Sequence, residues 1–220
     1  MSLTILDNET LGYGRTAVLS EVSFALAEGE RVVLLGRSGA GKSTLLNAVH
    51  DRLVPAHRVA LVPQDHALVP QLSVLRNVLM GRLDDHGALY NLTNLLRVRA
   101  KDRAGVAEVL EAVGLVPEID RPVHALSGGQ KQRVALARAW WRGGRVLIGD
   151  EPVSAVDETQ AGVLLEQARS RFPTAMLALH DVGLARRFAT RLVGIRRGAI
   201  LFDAAPEDLS DAEIAALYAG

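Results

Sequence analysis

Cysteine is absent from this 220-residue chain, which excludes disulfides and thiolate chemistry and suits a reducing cytosol. Net charge is absent too, because 25 basic residues balance 25 acidic ones. No overall field then draws the chain to an anionic bilayer or to nucleic acid, and no nucleic-acid partner is expected. Apolar runs such as residues 175–179 fall far short of the roughly 20 residues that span a bilayer. The opening Met1-Ser2-Leu3-Thr4, followed by Asp7 and Glu9, lacks the basic-then-apolar pattern of a signal peptide. Any membrane process would use this chain as a soluble subunit. Repeats, low-complexity runs and flexible linkers are missing, and the length suits one domain, 1–220. His50, His57, His66, His86 and His124 show no metal-ligand spacing, so no zinc site is expected.

What the chain does contain is an alternation of strand and helix patterns. Residues 3–7, 22–26 and 31–35 read as strands, with Glu28-Gly29-Glu30 as a turn. Residues 58–62 read as another strand, ending at Pro63-Gln64, and Ser73 caps a helix through Leu79. Residues 81–125 read as mostly helical, with Val106, Val109, Leu110 and Val113 at helical spacing before Gly114. The order then runs helix (129–141), strand (146–148), helix (158–172), strand (174–179) and helix (182–189). This predicts an α/β fold whose mainly parallel sheet is covered on both faces. A helical subdomain of approximately 72–142 interrupts it. Trp140-Trp141 read as packing or partner-contact residues, and Arg186-Arg187 and Arg196-Arg197 as solvated or dimer-surface charges.

The segment Gly36-Arg37-Ser38-Gly39-Ala40-Gly41-Lys42-Ser43-Thr44 matches G-x-x-x-x-G-K-[ST]. In that pattern glycines turn backbone N–H groups toward phosphate oxygens, Lys reaches the β/γ-phosphates, and Ser holds Mg²⁺. The flanking strand and helix patterns supply the required context, since a helix N-terminus favours an anion. Such a loop occurs in kinases, GTPases, recombinases and transporters, so by itself it indicates a nucleotide and little more.

Leu126-Ser127-Gly128-Gly129-Gln130, running into Lys131-Gln132-Arg133 and an Ala/Leu-rich helix, resembles the signature of the ABC ATPase superfamily. Ser127 can cap that helix while the glycines let its N-terminus approach a phosphate. Val146-Leu147-Ile148-Gly149-Asp150-Glu151 resembles the Walker B strand, and His180 ends another apolar strand. The resemblance covers nearly the whole chain. It implies a P-loop NTPase, an ABC-type nucleotide-binding domain with a mainly parallel core sheet, a small antiparallel β subdomain and a helical subdomain. It further implies ATP and Mg²⁺ as cofactors, with Asp150, Ser43 and Gln64 at the metal, Glu151 activating water, and His180 at the γ-phosphate. Tyr13 would stack on adenine. Ser127, Gly128, Gly129 and Gln130 would act on the ATP of a second copy, and Asp157 ends the loop Ser154-Ala155-Val156-Asp157 that lies across the dimer interface.

Three departures qualify the likeness. From Lys42 to Gln64 the chain is shorter than the family pattern, Arg142-Gly143-Gly144-Arg145 stands where an Asp-Pro is usual, and Gly149 replaces a larger residue. Within the family, the stretch from Gln71 to Leu83 and the tail Pro206-Glu207-Asp208-Leu209-Ser210-Asp211 are similar to the phosphonate-importer ATPases. That likeness implies an importer subunit at the cytoplasmic face of the inner membrane, bound to permease subunits and served indirectly by a solute-binding protein. Two rival readings share every nucleotide motif, a non-transport ABC ATPase accessory to a phosphonate-degrading complex and an importer ATPase for another solute, and a third, a phosphotransferase, is opposed by the signature segment.

Overall fold

A computed structural model describes residues 2–14 and 16–219, with the side chains of residues 2–5, 95 and 96 outside the description. The chain opens on a hairpin in which β1 (Ser2–Tyr13) pairs antiparallel with β2 (Thr16–Ala27) as a separate two-stranded sheet. The sequence pattern predicts shorter strands here. Register shifts along the hairpin let pairing continue through breaks in the alternation, so each strand reaches 12 residues. Next come β3 (Arg31–Leu35), α1 (Lys42–Leu53) and β4 (Val59–Val62). Residues 54–58 between α1 and β4 add no strand, so the short 42–64 stretch leaves the hairpin as the whole of its sheet.

After β4 the chain forms helices: α2 (Val74–Leu79), α3 (Ala88–Leu96), α4 (Ala100–Ala112) and α5 (Gly128–Arg142), joined by short 3-10 turns. Ser73 caps α2 by accepting the Arg76 N–H, as its position predicts. Val106 and Leu110 turn the buried face of α4 inward. The core then resumes as β5 (Val146–Asp150), α6 (Glu158–Arg171), β6 (Thr174–Ala178) and α7 (Val182–Phe188), followed by β7 (Arg191–Arg196), β8 (Ala199–Ala204) and α8 (Asp211–Ala216).

The main sheet runs β4-β5-β6-β3-β7-β8. Its first five strands are parallel and β8 is antiparallel to β7. Successive residues of β3 serve opposite faces: Val32 and Leu34 pack with the hairpin and α1, Val33 and Leu35 with the helices of the other layer. Both faces are therefore core, and burying each such side chain contributes about 1.5–3 kcal/mol relative to exposure. Strands β7 and β8 escape the sequence reading because Arg191 and Arg196 bracket a short apolar run and β8 is only partly buried. The expectation that Arg186 is a solvated charge is corrected: its guanidinium donates to the carbonyls of Pro206 and Leu209 at 2.8 and 2.9 Å and so fastens the C-terminal segment to α7.

Candidate functional site

Parallel pairing brings the carboxyl ends of four neighbouring strands, β4, β5, β6 and β3, to one edge of the sheet. Each end carries a sequence candidate. Gln64 follows β4, Asp150 and Glu151 close β5, His180 follows β6, and loop 36–41 follows β3. This edge is where parallel α/β sheets build ligand sites.

The loop is shaped for an anion. Gly41, just before α1, has φ 110°, a left-handed conformation that glycine enters without steric cost. No side chain caps α1 and its first turn holds no acidic residue, so its leading N–H groups and positive dipole end are left for a ligand. Gly36 lies against β7, where a Cβ would fall 2.4 Å from the Ile195 carbonyl oxygen. Arg37, Ser38 and Gly39 are exposed at the crest, Ala40 is half-buried, and Thr44 is buried in α1. Lys42 is only 5% exposed, and its ammonium donates to the carbonyls of Gly36 and Arg37 at 2.8 and 3.1 Å. Burial lowers its pKa, opposed by the carboxylates of Glu151 and Asp150. A buried ammonium resting on neutral carbonyls is poised to take a phosphate oxygen instead.

Beside the loop lies a cavity of about 380 Å³ whose lining includes Tyr13, Ser43, Gln64 and Asp150, with Asn47 and Leu61 among the other wall residues. The hydroxyl, amide and carboxylate oxygens of Ser43, Gln64 and Asp150 are hard donors that suit Mg²⁺, which favours few carboxylates plus substrate phosphates. Tyr13, at the end of β1, is 60% exposed and accessible for stacking. A second cavity of about 270 Å³ is lined by Glu151, Ser154 and His180. Glu151 adopts φ 52°, a conformation that costs a non-glycine residue about 1–3 kcal/mol and persists at functional sites. Its N–H donates to the Ala178 carbonyl at 3.1 Å, and its carboxylate meets Nε2 of His180.

The signature residues lie elsewhere. Ser127 accepts the Gln130 N–H at 3.3 Å while the Gln130 side chain accepts the Ser127 N–H at 3.0 Å, a reciprocal cap on α5. None of residues 127–130 lines either cavity. Asp157 caps α6 by accepting the Gln160 N–H at 2.9 Å. Gly149 is packed within β5, where a Cβ would lie 2.9 Å from Leu177 Cδ2 and 3.2 Å from Pro152 Cγ. Its small size therefore admits both neighbours.

Sequence reasoning missed two polar residues of α5. Gln132 is 1% exposed, and Arg138 donates to the carbonyls of His66 and Ala67 in the loop after Gln64. The signal for Gln132 was its phase, since it shares a buried helical stripe with Ala135, Leu136 and Ala139. A polar side chain on such a stripe requires partners.

A family model described as ABC transporter matches residues 19–154, more than half of the chain. The chain belongs to the ABC transporter family. It is 38% identical to the phosphonates import ATP-binding protein PhnC 2 of Cupriavidus metallidurans, over 93% of this chain and 82% of that protein. It is 37% identical to the phosphite import ATP-binding protein PxtA of Stutzerimonas stutzeri, over 94% and 83% of the two chains. Among solved structures it is similar to the dimeric structure of MJ0796, a bacterial ABC transporter cassette, at TM-score 0.76 and 26% identity, covering 94% of this chain and 99% of that one. It is also similar to an ATP-bound bacterial Atm1-family ABC exporter, at TM-score 0.79 and 25% identity, over 99% of this chain and 41% of the other.

Proposed function

We propose that this chain is the ATP-hydrolysing subunit of an importer for phosphonates or related phosphorus anions, active as a homodimer that shares two Mg-ATP sites. The observation that carries the nucleotide part is spatial: the phosphate loop, the oxygen donors and the Glu151 and His180 pair converge on one sheet edge, while Ser127 sits outside both cavities. In this reading Tyr13 stacks on adenine and residues 36–44 hold the phosphates. Ser43, Gln64 and Asp150 hold Mg²⁺, which when bound neutralises phosphate charge. Glu151 orients the attacking water and His180 contacts the γ-phosphate. Ser127, Gly128, Gly129 and Gln130 of the second copy close the site, with Asp157 at the interface. The family membership and the import names of the two relatives support transport of phosphorus compounds.

Among the described residues no helix is long and apolar enough to cross a membrane, so the proposal assigns the crossing to permease subunits. The chain then sits peripherally at the cytoplasmic face of the inner membrane, and a solute-binding protein acts on it only indirectly. A cavity of about 490 Å³ beside α2, lined by Leu72, Arg76, Leu79, Met80 and Trp141, is the proposed permease dock. In this reading residues 1–220 form a single domain whose helical part lies at about 72–142.

Uptake of a labelled phosphonate by cells carrying Lys42→Ala tests the reading. The expected result is loss of uptake. Unchanged uptake with unchanged growth on phosphonate would remove the phosphonate-import reading, whereas intact uptake with lost growth would favour an accessory role in degradation. In isolated protein, Glu151→Gln is expected to lower hydrolysis by about 10²-fold or more, the size of a general-base contribution, and to accumulate a Mg-ATP-dependent dimer on a sizing column.

A further inference from the structure

Gln132 presents a primary amide to the interior of the protein, which is unfavourable unless its donors and acceptor are matched. One short segment matches them. The Nε2 group donates to the Glu151 carbonyl at 2.7 Å and to the Ser154 hydroxyl at 3.1 Å, and Oε1 accepts the Ala155 N–H at 2.8 Å. One turn toward the N-terminus, Gly129 approaches the same segment so closely that a Cβ would lie 2.6 Å from the Ala155 carbonyl oxygen. Helix α5 is therefore registered to residues 151–155 at two points. The carbonyl that Gln132 grips belongs to Glu151, whose left-handed backbone needs surroundings that over-determine it. The direction of the Glu151 carboxylate thus depends on where α5 sits.

We propose that Gln132 is a positioning residue that couples the two nucleotide sites of the dimer. The inference rests on the composite-site reading above, in which the N-terminus of α5 faces the partner's γ-phosphate while Glu151 serves the chain's own site. Closure of Ser127 and Gly129 on the partner's phosphate displaces α5, and the Gln132 amide carries that displacement to the peptide of Glu151. Each site then reports its occupancy to the other, and the coupling is reciprocal for binding. Arg138 on the same helix holds the loop after Gln64, so α5 reaches a second element of the site by the same rigid body. A fully satisfied buried polar network suits this task, because it resists partial displacement.

Gln132→Glu keeps the length and one acceptor but loses the donor to Glu151, and Gln132→Met removes all three bonds. Both are measured for nucleotide affinity as monomer, for hydrolysis against ATP concentration, and again in a Glu151→Gln background. The expected result is kcat lowered about tenfold or more with monomer affinity within about twofold, and a Hill coefficient falling from near 2 toward 1. In the Glu151→Gln background the added loss is expected to be under about twofold, because the effect runs through the base. Additive losses in that background, or unchanged kcat and Hill coefficient, overturn the inference. If both variants fail to fold, Ser154→Ala removes one partner of the amide, and because its loop lies across the dimer interface in the composite-site reading, Mg-ATP-dependent dimerisation on a sizing column must stay at the wild-type level. Lower cooperativity at unchanged monomer affinity then supports the coupling, and unchanged cooperativity overturns it. A wild-type protein that hydrolyses ATP as a monomer with a Hill coefficient near 1 would instead refute the composite-site reading itself.

Discussion

Gly128 and Gly129 are consecutive in the first turn of α5, yet alanine at each is expected to change stability in opposite directions. At Gly128 an added Cβ has nothing within 4 Å. Alanine there removes freedom from the unfolded chain at no steric cost, which stabilises by about 0.4–1 kcal/mol. At Gly129 the same gain is opposed by a contact of 2.6 Å to the Ala155 carbonyl oxygen, with Val156 Cγ1 at 3.5 Å. The nearer atom is backbone and cannot rotate away, so α5 or segment 151–155 must shift. Overpacking of this kind costs about 1–3 kcal/mol, leaving Gly129→Ala net destabilised by about 0.5–2 kcal/mol once the gain is subtracted. The two variants should then differ by about 1–3 kcal/mol, or about 2–12 °C in Tm for a chain of this size. Thermal and urea denaturation without nucleotide is the assay, because any effect on a second copy's ATP is then absent. Gly129→Ala as stable as Gly128→Ala would refute the packing of α5 on the Glu151 segment.

Lys42→Ala is expected to weaken nucleotide binding about 10- to 150-fold, the loss of one charge-assisted contact worth about 1.5–3 kcal/mol; titration with a fluorescent ATP analogue reads it, and wild-type affinity would refute it. Ser127→Arg should abolish hydrolysis while leaving monomer affinity unchanged, and mixing it with Lys42→Ala should recover a fraction of wild-type activity, because one heterodimer site then combines an intact phosphate loop with an intact signature while its own α5 meets no partner phosphate. Failure of that mixture to recover any activity would contradict action between copies. Asp84 and Asp85 are held below the ordinary aspartate pKa by hydrogen bonds from Arg142 and Arg58. The stability they contribute is complete above the unfolded aspartate range and is lost as pH falls through their lowered folded values. Asp85→Asn should therefore flatten the acid limb of a Tm-against-pH curve while costing about 1 kcal/mol or less at neutral pH, since Arg58 and Asp85 are partly exposed. An unchanged acid limb would show that this pair carries none of the dependence.

Local chemistry was legible in the sequence wherever neighbours along the chain decide the outcome. The phosphate loop is contiguous, the Ser127 and Gln130 cap closes within one helical turn, and β3 and β6 are apolar runs because both of their faces are core. Such signals need only periodicity and residue type. Strand β7, bracketed by arginines, and edge strand β8, half wetted, carry weaker versions of the same signals. Arg186 read as a surface charge because its acceptors are backbone carbonyls about 20 residues on, at Pro206 and Leu209.

The sequence by itself determined which residues could bind phosphate, hold a hard cation or serve as a base, since those capacities belong to the side chains. Only the tertiary structure decided which of them meet. Strand order β4-β5-β6-β3 is not chain order, and it alone brings Gln64, Asp150, His180 and the loop after β3 to one edge. The same holds for Gln132, whose three partners lie 19 to 23 residues away. A glutamine looks alike in any sequence, and its role comes from being buried where the donors and acceptors it meets belong to another segment.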